Sequence, residues 1–384
     1  MAQWGENPSH VDVKSILISN GATFTVSGRS ITLRDPANNN AAGTLLNQGR
    51  LRFQGGSFTG VLINEAQMDV EGTIFLGSAT IFNSSSGIIE YRRDGFSVQR
   101  VPSLVDNAGV LRKTTNQNAY VNVPLQNTGL IDVQAGELSI QSSFVQTGGE
   151  TRVRAGSTLE VIGSPIQLQG GKLTGSGLVE AGFNTWFVVN NSAGIIAPGI
   201  NDPNEPTANP IGILTIDGDL TLGANAVLEI ELAGTDNSNP SNPQYDQIRI
   251  ARPNYSRSVQ LNGTLRLKGR HNFVPSVGQV FDIILRTASS WNRTGTFSRV
   301  EVDPDTLPCV EVAVRYLTDR VRVEVVRASG SPDTNRDGCV DDADLLAVLF
   351  AFGQTGSTPA DVNCDGIVDD ADLLAVLFAF GQGC

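Results

Sequence analysis

Residues 125–140 read LQNTGLIDVQAGELSI. Apolar side chains recur at every second position and are interrupted by Asn, Gly and Ala. Such alternation predicts short strands with one buried face rather than a helix. The same texture extends outward in ATFTVSG (22–28), GRLRFQGG (49–56), TRVRAGSTLEVIG (151–163) and GKLTGSGLVEA (171–181). Between residues 11 and 200 no segment keeps a helical period for three turns.

A degenerate repeat underlies the strands. An apolar residue, an Asn, a polar stretch ending in Gly or Ala, and then a strand recur as LNQGRLRF from Leu46, INEAQMDV from Ile63, VDNAGVLRK from Val105, LQNTGLIDV from Leu125 and VNNSAGIIA from Val189. The asparagines Asn47, Asn64, Asn107, Asn127 and Asn191 step by 17, 43, 20 and 64 residues. Those steps fit one, two, one and three coils of roughly 17–22 residues, the size of a stacked β-solenoid repeat. Each Asn would sit at a turn, where its side chain bonds neighbouring backbone. A β-sandwich with regularly spaced turns is the competing reading.

These coils, together with GILTIDGDLTLGANAVLEIEL from Gly212, resemble the right-handed β-helix of autotransporter passengers and related bacterial surface adhesins. The resemblance implies a mostly β chain, a right-handed β-solenoid that is extracellular and structural or adhesive. Residues 1–200 are assigned to it. Residues 201–328 carry two Pro- and Asn-rich loops (201–210 and 235–244) followed by longer alternating runs, and are expected to pair antiparallel as a β-rich cap or a small second β-domain. ASGSP (328–332) reads as a linker, and residues 329–384 as a separate tail.

Charge marks that tail. Between Asp333 and Cys384 there are ten Asp and one Arg, a net of −9 in a chain whose total is −12. The body is therefore almost neutral, and no cluster of Lys and Arg suits a nucleic-acid backbone. The longest apolar run, Leu345 to Phe352, is too short to span a bilayer. The four cysteines, Cys309, Cys339, Cys364 and Cys384, also crowd toward the C-terminus without zinc-like spacing. They are expected to form two disulfides in an oxidising compartment, with three pairings open.

The segment DTNRDGCVDDADLLAVLFAFGQ from Asp333 returns 28 residues later as DVNCDGIVDDADLLAVLFAFGQ, and Asp341–Gln354 is identical to Asp369–Gln382. Each copy opens with a twelve-residue loop of EF-hand type. Asp333, Asn335 and Asp337 stand at positions one, three and five, with Gly338 at the sharp turn. Cys339 offers its carbonyl at seven, and Asp341 and Asp344 stand at nine and twelve. Asp361, Asn363, Asp365, Ile367, Asp369 and Asp372 repeat these roles. Hard oxygen ligands at alternate positions suit calcium at about 2.3–2.6 Å, so two calcium ions are expected.

The duplicated DxNxDGxVxxxDLL pattern with one helix per loop resembles a dockerin, a module that binds cohesin domains on extracellular scaffolds. The resemblance covers residues 333–384. Asp342–Ala343 and Asp370–Ala371 stand where many dockerins carry a Ser–Thr recognition pair. LLAVLFAF is apolar all round. Leu345, Val348, Leu349 and Phe352 are expected to pack on Leu373, Val376, Leu377 and Phe380. Leu346, Phe350, Leu374 and Phe378 are then left to meet the β-body or a protein partner, whether another copy of the chain or a cohesin-like domain.

No catalytic constellation is legible. Asp69, Glu71, Glu90 and Asp132 read as isolated, solvated carboxylates, and His10 and His271 have no nucleophile nearby. The chain is expected to be a non-catalytic structural protein. The alternative is a carbohydrate-binding or polysaccharide-degrading component carried by its tail. That reading is weakened by sparse aromatics, with Trp4, Trp186 and Trp291 scattered along the chain.

Overall fold

A computed structural model of the chain describes residues 10–34, 41–100, 102–182, 187–251, 256–328, 332–335, 337–356 and 358–384. Strands make up 50% of the chain and helices 6%, so it is mostly β, with parallel sheets. It divides into two compact units. The first comprises Met1–Glu229, Asp246–Leu265 and Leu285–Arg299; the second comprises Ile230–Tyr245, Arg266–Ile284 and Val300–Cys384.

In the first unit the short strands pair in parallel with later strands, roughly twenty to thirty residues further on as far as Lys172–Gly175 and more than thirty beyond it, as where Leu178 faces Thr215 and Ser256 faces Ser290. Leu125–Asn127 pairs with Phe144–Gln146, Leu130–Val133 with Glu150–Val153, and Glu137–Ile140 with Thr158–Val161. Parallel strands cannot be joined by a tight hairpin and need a crossover. Here the crossover consists of the strands of the other two ladders, which is why no helix is required. Two of the three ladders share the long strands Gly56–Asn64 and Ile74–Asn83.

Stacking in register fills the interior. Leu45, Leu62, Ile81, Val105, Leu125, Phe144, Ile166 and Val189 follow one another on adjacent strands, all at most 2% exposed. Each such burial is worth about 1.5–3 kcal/mol, and one column of like side chains fixes the register.

The antiparallel pairing expected over 201–328 is found in one strand pair and corrected in the others. Ile213–Asp217 lies parallel to Leu178–Ala181, Gln247–Ile250 to Ile213–Asp217, Ser256–Leu261 to Asp219–Leu222, and Ser290–Gly295 to Ser256–Leu261. Among the described strands, antiparallel pairing is found between Glu311–Tyr316 and Arg320–Arg327, in the second unit. One-sided alternation is the same in both kinds of ladder, so it could not distinguish them.

The second unit also holds Phe281 edge-on to Tyr245 and Phe273, and the helices α1 (Asp342–Ala351) and α2 (Asp370–Ala379). Both helices start on a capping box, Asp341 with Asp344 and Asp369 with Asp372. Both stop just before a left-handed glycine, Gly353 at φ +81° and Gly381 at φ +84°.

Candidate metal and docking site

The loop carboxylates shape the backbone first. In the first loop Asp333 Oδ2 accepts the Gly338 N–H at 3.0 Å, Asn335 Oδ1 that of Asp337 at 2.9 Å, and Asp337 Oδ1 that of Cys339 at 2.9 Å. Gly338 has φ +94°, a conformation that a side chain resists. The second loop repeats each bond: Gly366 to Asp361 Oδ2 at 3.1 Å, Asp365 to Asn363 Oδ1 at 2.9 Å, and Ile367 to Asp365 Oδ1 at 3.0 Å. Asn335 and Asn363 each donate a side-chain amide to the aspartate at position five.

The aspartates at positions nine and twelve are also engaged. Asp341 Oδ1 and Asp369 Oδ1 accept from Ala343 and Ala371 at the helix starts. Fully buried Asp344 accepts from the backbone of Thr334, Asn335 and Asp341 and from the Thr334 hydroxyl. Burial alone would raise its carboxyl, but those donors outweigh the effect and hold it below the usual carboxylate range. Asp372 accepts from Asn363 and Asp369.

Among the described residues no three His, Cys, Asp or Glu side chains converge at metal-ligating geometry. One atom does point to a cation: Asp361 is 2% exposed, and its buried Oδ1 has no hydrogen-bond partner. A buried carboxylate oxygen without a donor is costly, and a hard cation would satisfy it. The oxygen-only donor set at alternate positions fits calcium. Asp333, Asn335, Asp337, the Cys339 carbonyl, Asp341 and Asp344 would hold one ion; Asp361, Asn363, Asp365, the Ile367 carbonyl, Asp369 and Asp372 would hold the other.

Two disulfides are present, Cys309–Cys364 and Cys339–Cys384. Each ends in one loop, at position four of the second and position seven of the first.

The helices bury less than their composition suggested. Val348 and Val376 are fully buried beside Val340, Ala360, Val362 and Val368, with Leu345 and Leu373 packed against them. Leu349, Phe352, Leu377 and Phe380, expected in the shared stripe, are 47–52% exposed. Leu346 and Leu374 are about half exposed, while Phe350 and Phe378 reach 82% and 84%. Short ten-residue helices touch along one narrow line, which leaves most of the circumference open.

The body carboxylates are neither isolated nor solvated, which corrects the expectation for Asp69, Glu90 and Asp132. Arg52, Asp69, Glu90, Arg112, Asp132, Arg152 and Thr174 form one column in register. Arg50 reaches Asp69 at 2.6 Å, Arg52 reaches Glu71 at 2.9 Å, Arg112 reaches Glu90 at 2.7 Å, and Arg154 reaches Asp132 at 2.8 Å. Burial raises the Asp69 carboxyl, but bonds from Arg50 and Gln67 and the charge of Arg92 more than reverse it. Carboxylates engaged in this way serve poorly as general acids or bases. His271 is exposed at a left-handed turn; Trp4 and Trp186 lie outside the described residues.

Sequence reasoning named Asn47, Asn64, Asn107 and Asn127 as turn residues, but missed Asn83 and Gln146 and missed that these side chains are buried and bonded to one another. Asn47, Asn64, Asn83, Asn107 and Asn127 form a buried ladder in which each side-chain amide donates to the next residue's Oδ1 at 2.7 Å, ending on Gln146 at 3.3 Å. Asn83 stands in FNSSSG and Gln146 in FVQTGG, the same local grammar, so both were within reach of the repeat. Arg152, 2% exposed, is surrounded by Glu150, Asp202 and Glu205. Its grip on the 201–210 loop had no local signal.

Comparison with protein-family models and with curated proteins finds no match for this chain. No described helix is long and apolar enough to cross a membrane.

Proposed function

We propose that this chain is an extracellular, non-catalytic structural protein. Its body is a right-handed β-solenoid like that of autotransporter-type adhesins. Its tail is a dockerin-like module that uses two calcium ions to order a protein-docking surface. The partner is a neighbouring copy of the chain, in a filament or surface layer, or a cohesin-like domain.

The observation that carries this reading is the twin apolar face of α1 and α2. Leu346, Phe350, Leu374 and Phe378 are 46–84% exposed, too much apolar surface on a small helical pair to be idle. Their loops are built of oxygen donors, and bound calcium would neutralise the crowded carboxylates there. The solenoid reading is supported by the regular parallel pairing of most strands with the third strand along, or the second where a long strand serves two ladders, and by the unbroken apolar column. Two disulfides favour an oxidising compartment. Arginine pairing of Asp69, Glu90 and Asp132 favours a non-catalytic body.

The test is electron microscopy and light scattering of the full chain with calcium and with chelator. Filaments or layers that dissolve in chelator identify a second copy as the partner. Monomers that capture a cohesin domain only in calcium identify the other. If Leu346, Phe350, Leu374 and Phe378 are all replaced by Ser and assembly or capture is unchanged, the docking surface lies elsewhere.

A further inference from the structure

The two loops carry the same side-chain ligand types at positions one, three, five, nine and twelve, yet they are held differently. Asp361, first in the second loop, is buried, whereas Asp333 at the same place in the first is partly exposed. The second loop is tied to the antiparallel strand pair of its own unit. Cys364 is bonded to Cys309, two residues before Glu311–Tyr316. Arg327, at the end of Arg320–Arg327 and 6% exposed, donates to the Thr358 carbonyl at 2.7 Å and to the Asp361 carbonyl at 3.1 Å. Its other guanidinium nitrogen meets Glu311 at 3.3 Å, which offsets its charge beside an acidic loop.

Among the described residues, the bonds found for the first loop run to its own helix and to the chain's last residues, and the second loop has the matching set, with Val368 bonded to Gln354 and Gly353, in addition to its ties to the strands. Asp344 holds Thr334 and Asn335, Val340 exchanges backbone bonds with Gln382 and Gly381, and Cys339 is bonded to Cys384. A loop fixed beforehand to a sheet loses less freedom when it closes on an ion than one fixed to a short terminal segment. The orphaned Asp361 Oδ1 adds a second difference: the second loop already holds a carboxylate oxygen out of water with nothing to bind.

We infer that the two loops are unequal calcium sites. The second, centred on Asp361 and positioned by Arg327 and the Cys309–Cys364 bridge, fills first and holds its ion the more tightly. The first fills at higher calcium and completes the docking face through α1. Calcium would then act on this protein in two steps, first closing the second loop, which is already tied to its strands, and then switching the docking face. The inference rests on the calcium reading proposed above.

The experiment is calorimetric titration of the chelator-stripped full chain with calcium chloride. The expected result is two steps separated by roughly tenfold or more in affinity. Asp361→Asn removes the tighter step and Asp333→Asn the weaker. Arg327→Met, which keeps the buried stem but not the donors, weakens the tighter step alone. Because a variant can fail to fold, limited proteolysis of the unaltered chain at one equivalent of calcium provides a second readout. Residues 361–372 should be protected while 333–344 are still cleaved. Equal affinities, loss of the tighter step in Asp333→Asn, tighter binding in Arg327→Met or the reverse order of protection would each overturn the inequality while leaving calcium binding intact. Absence of any calcium uptake would overturn the calcium reading itself, and the inequality with it.

Discussion

Asn83 donates its side-chain amide to Asn107 Oδ1 at 2.7 Å across two strands whose residues lie 24 apart in sequence, and both side chains are shut off from solvent. Asn83 also accepts the amide of Asn64, so neither end of its side chain is idle. A buried amide has four hydrogen-bonding sites to satisfy, and here the stacking of like on like satisfies them.

Breaking this ladder in the middle should therefore be expensive. Asn107→Ala strands the Asn127 carbonyl oxygen and takes one acceptor from the Asn83 amide, which keeps the Gly87 and Val110 carbonyls. A buried oxygen left unpaired costs about 1–3 kcal/mol, and we expect a loss of that size, read from the urea midpoint. A loss below the error of that measurement would show that the ladder is decorative.

The Arg152 guanidinium is 2% exposed and meets Glu150 at 2.9 Å, Asp202 at 3.0 Å and Glu205 at 2.8 Å. Arg152→Met removes the cation from a partly buried cluster and should cost about 3 kcal/mol. It should also free the 201–210 loop, so that protease nicks appear there before elsewhere. Lysine should rescue little, because one ammonium cannot serve three carboxylates in a plane.

Strong acid should destabilise the body in part through Asp69. The Asp69 carboxyl titrates lower in the folded chain than in the unfolded one, despite burial, because Arg50, Gln67 and Arg92 favour its charged form. Its contribution is complete above the unfolded value of about 4 and is lost as pH falls through the folded value. Urea midpoints from pH 7 to pH 3 should fall more steeply for the parent than for Asp69→Asn, although the variant starts lower. Parallel curves would remove Asp69 as a cause of acid sensitivity.

Val348 and Phe350 stand two residues apart on α1 with opposite fates, 0% and 82% exposed. Val348→Ala should cost about 2 kcal/mol by opening a cavity between the helices. Phe350→Ser should change stability by no more than about 0.5 kcal/mol. A large cost for Phe350→Ser would mean that its ring is covered within the chain.

The Cys309–Cys364 bridge spans 55 residues and ties the second loop to the strand pair. Replacing both cysteines with alanine should cost the second unit about 2–4 kcal/mol, seen as a lower urea midpoint for the α1–α2 signal. An unchanged midpoint would show that the strands and Arg327 suffice.

Much of this protein was legible locally. Alternation in LQNTGLIDVQAGELSI and its relatives marks strands, because a strand's two faces differ by a single residue step. The recurring asparagines marked the spacing of the stacked strands, although they close those strands as buried residues rather than standing in turns. The duplicated DxNxDGxVxxxDLL marked both loops, because their geometry is closed within twelve residues: each carboxylate bonds a backbone N–H no more than ten positions away.

What lay between distant residues was not legible. The parallel sense of the strands beyond residue 200 depends on which ladder the chain has just left, and alternation carries no record of that. The pairing of Asp69 with Arg50 and of Arg152 with Asp202 and Glu205 joins positions 19 to 53 apart, so each carboxylate looked solitary in its own segment. Which cysteines bond, which helix face is covered and which acidic loop is tied to the strands are all decided by neighbours in space. A side chain's burial and charge balance belong to the groups that surround it, and only the folded chain brings those groups together.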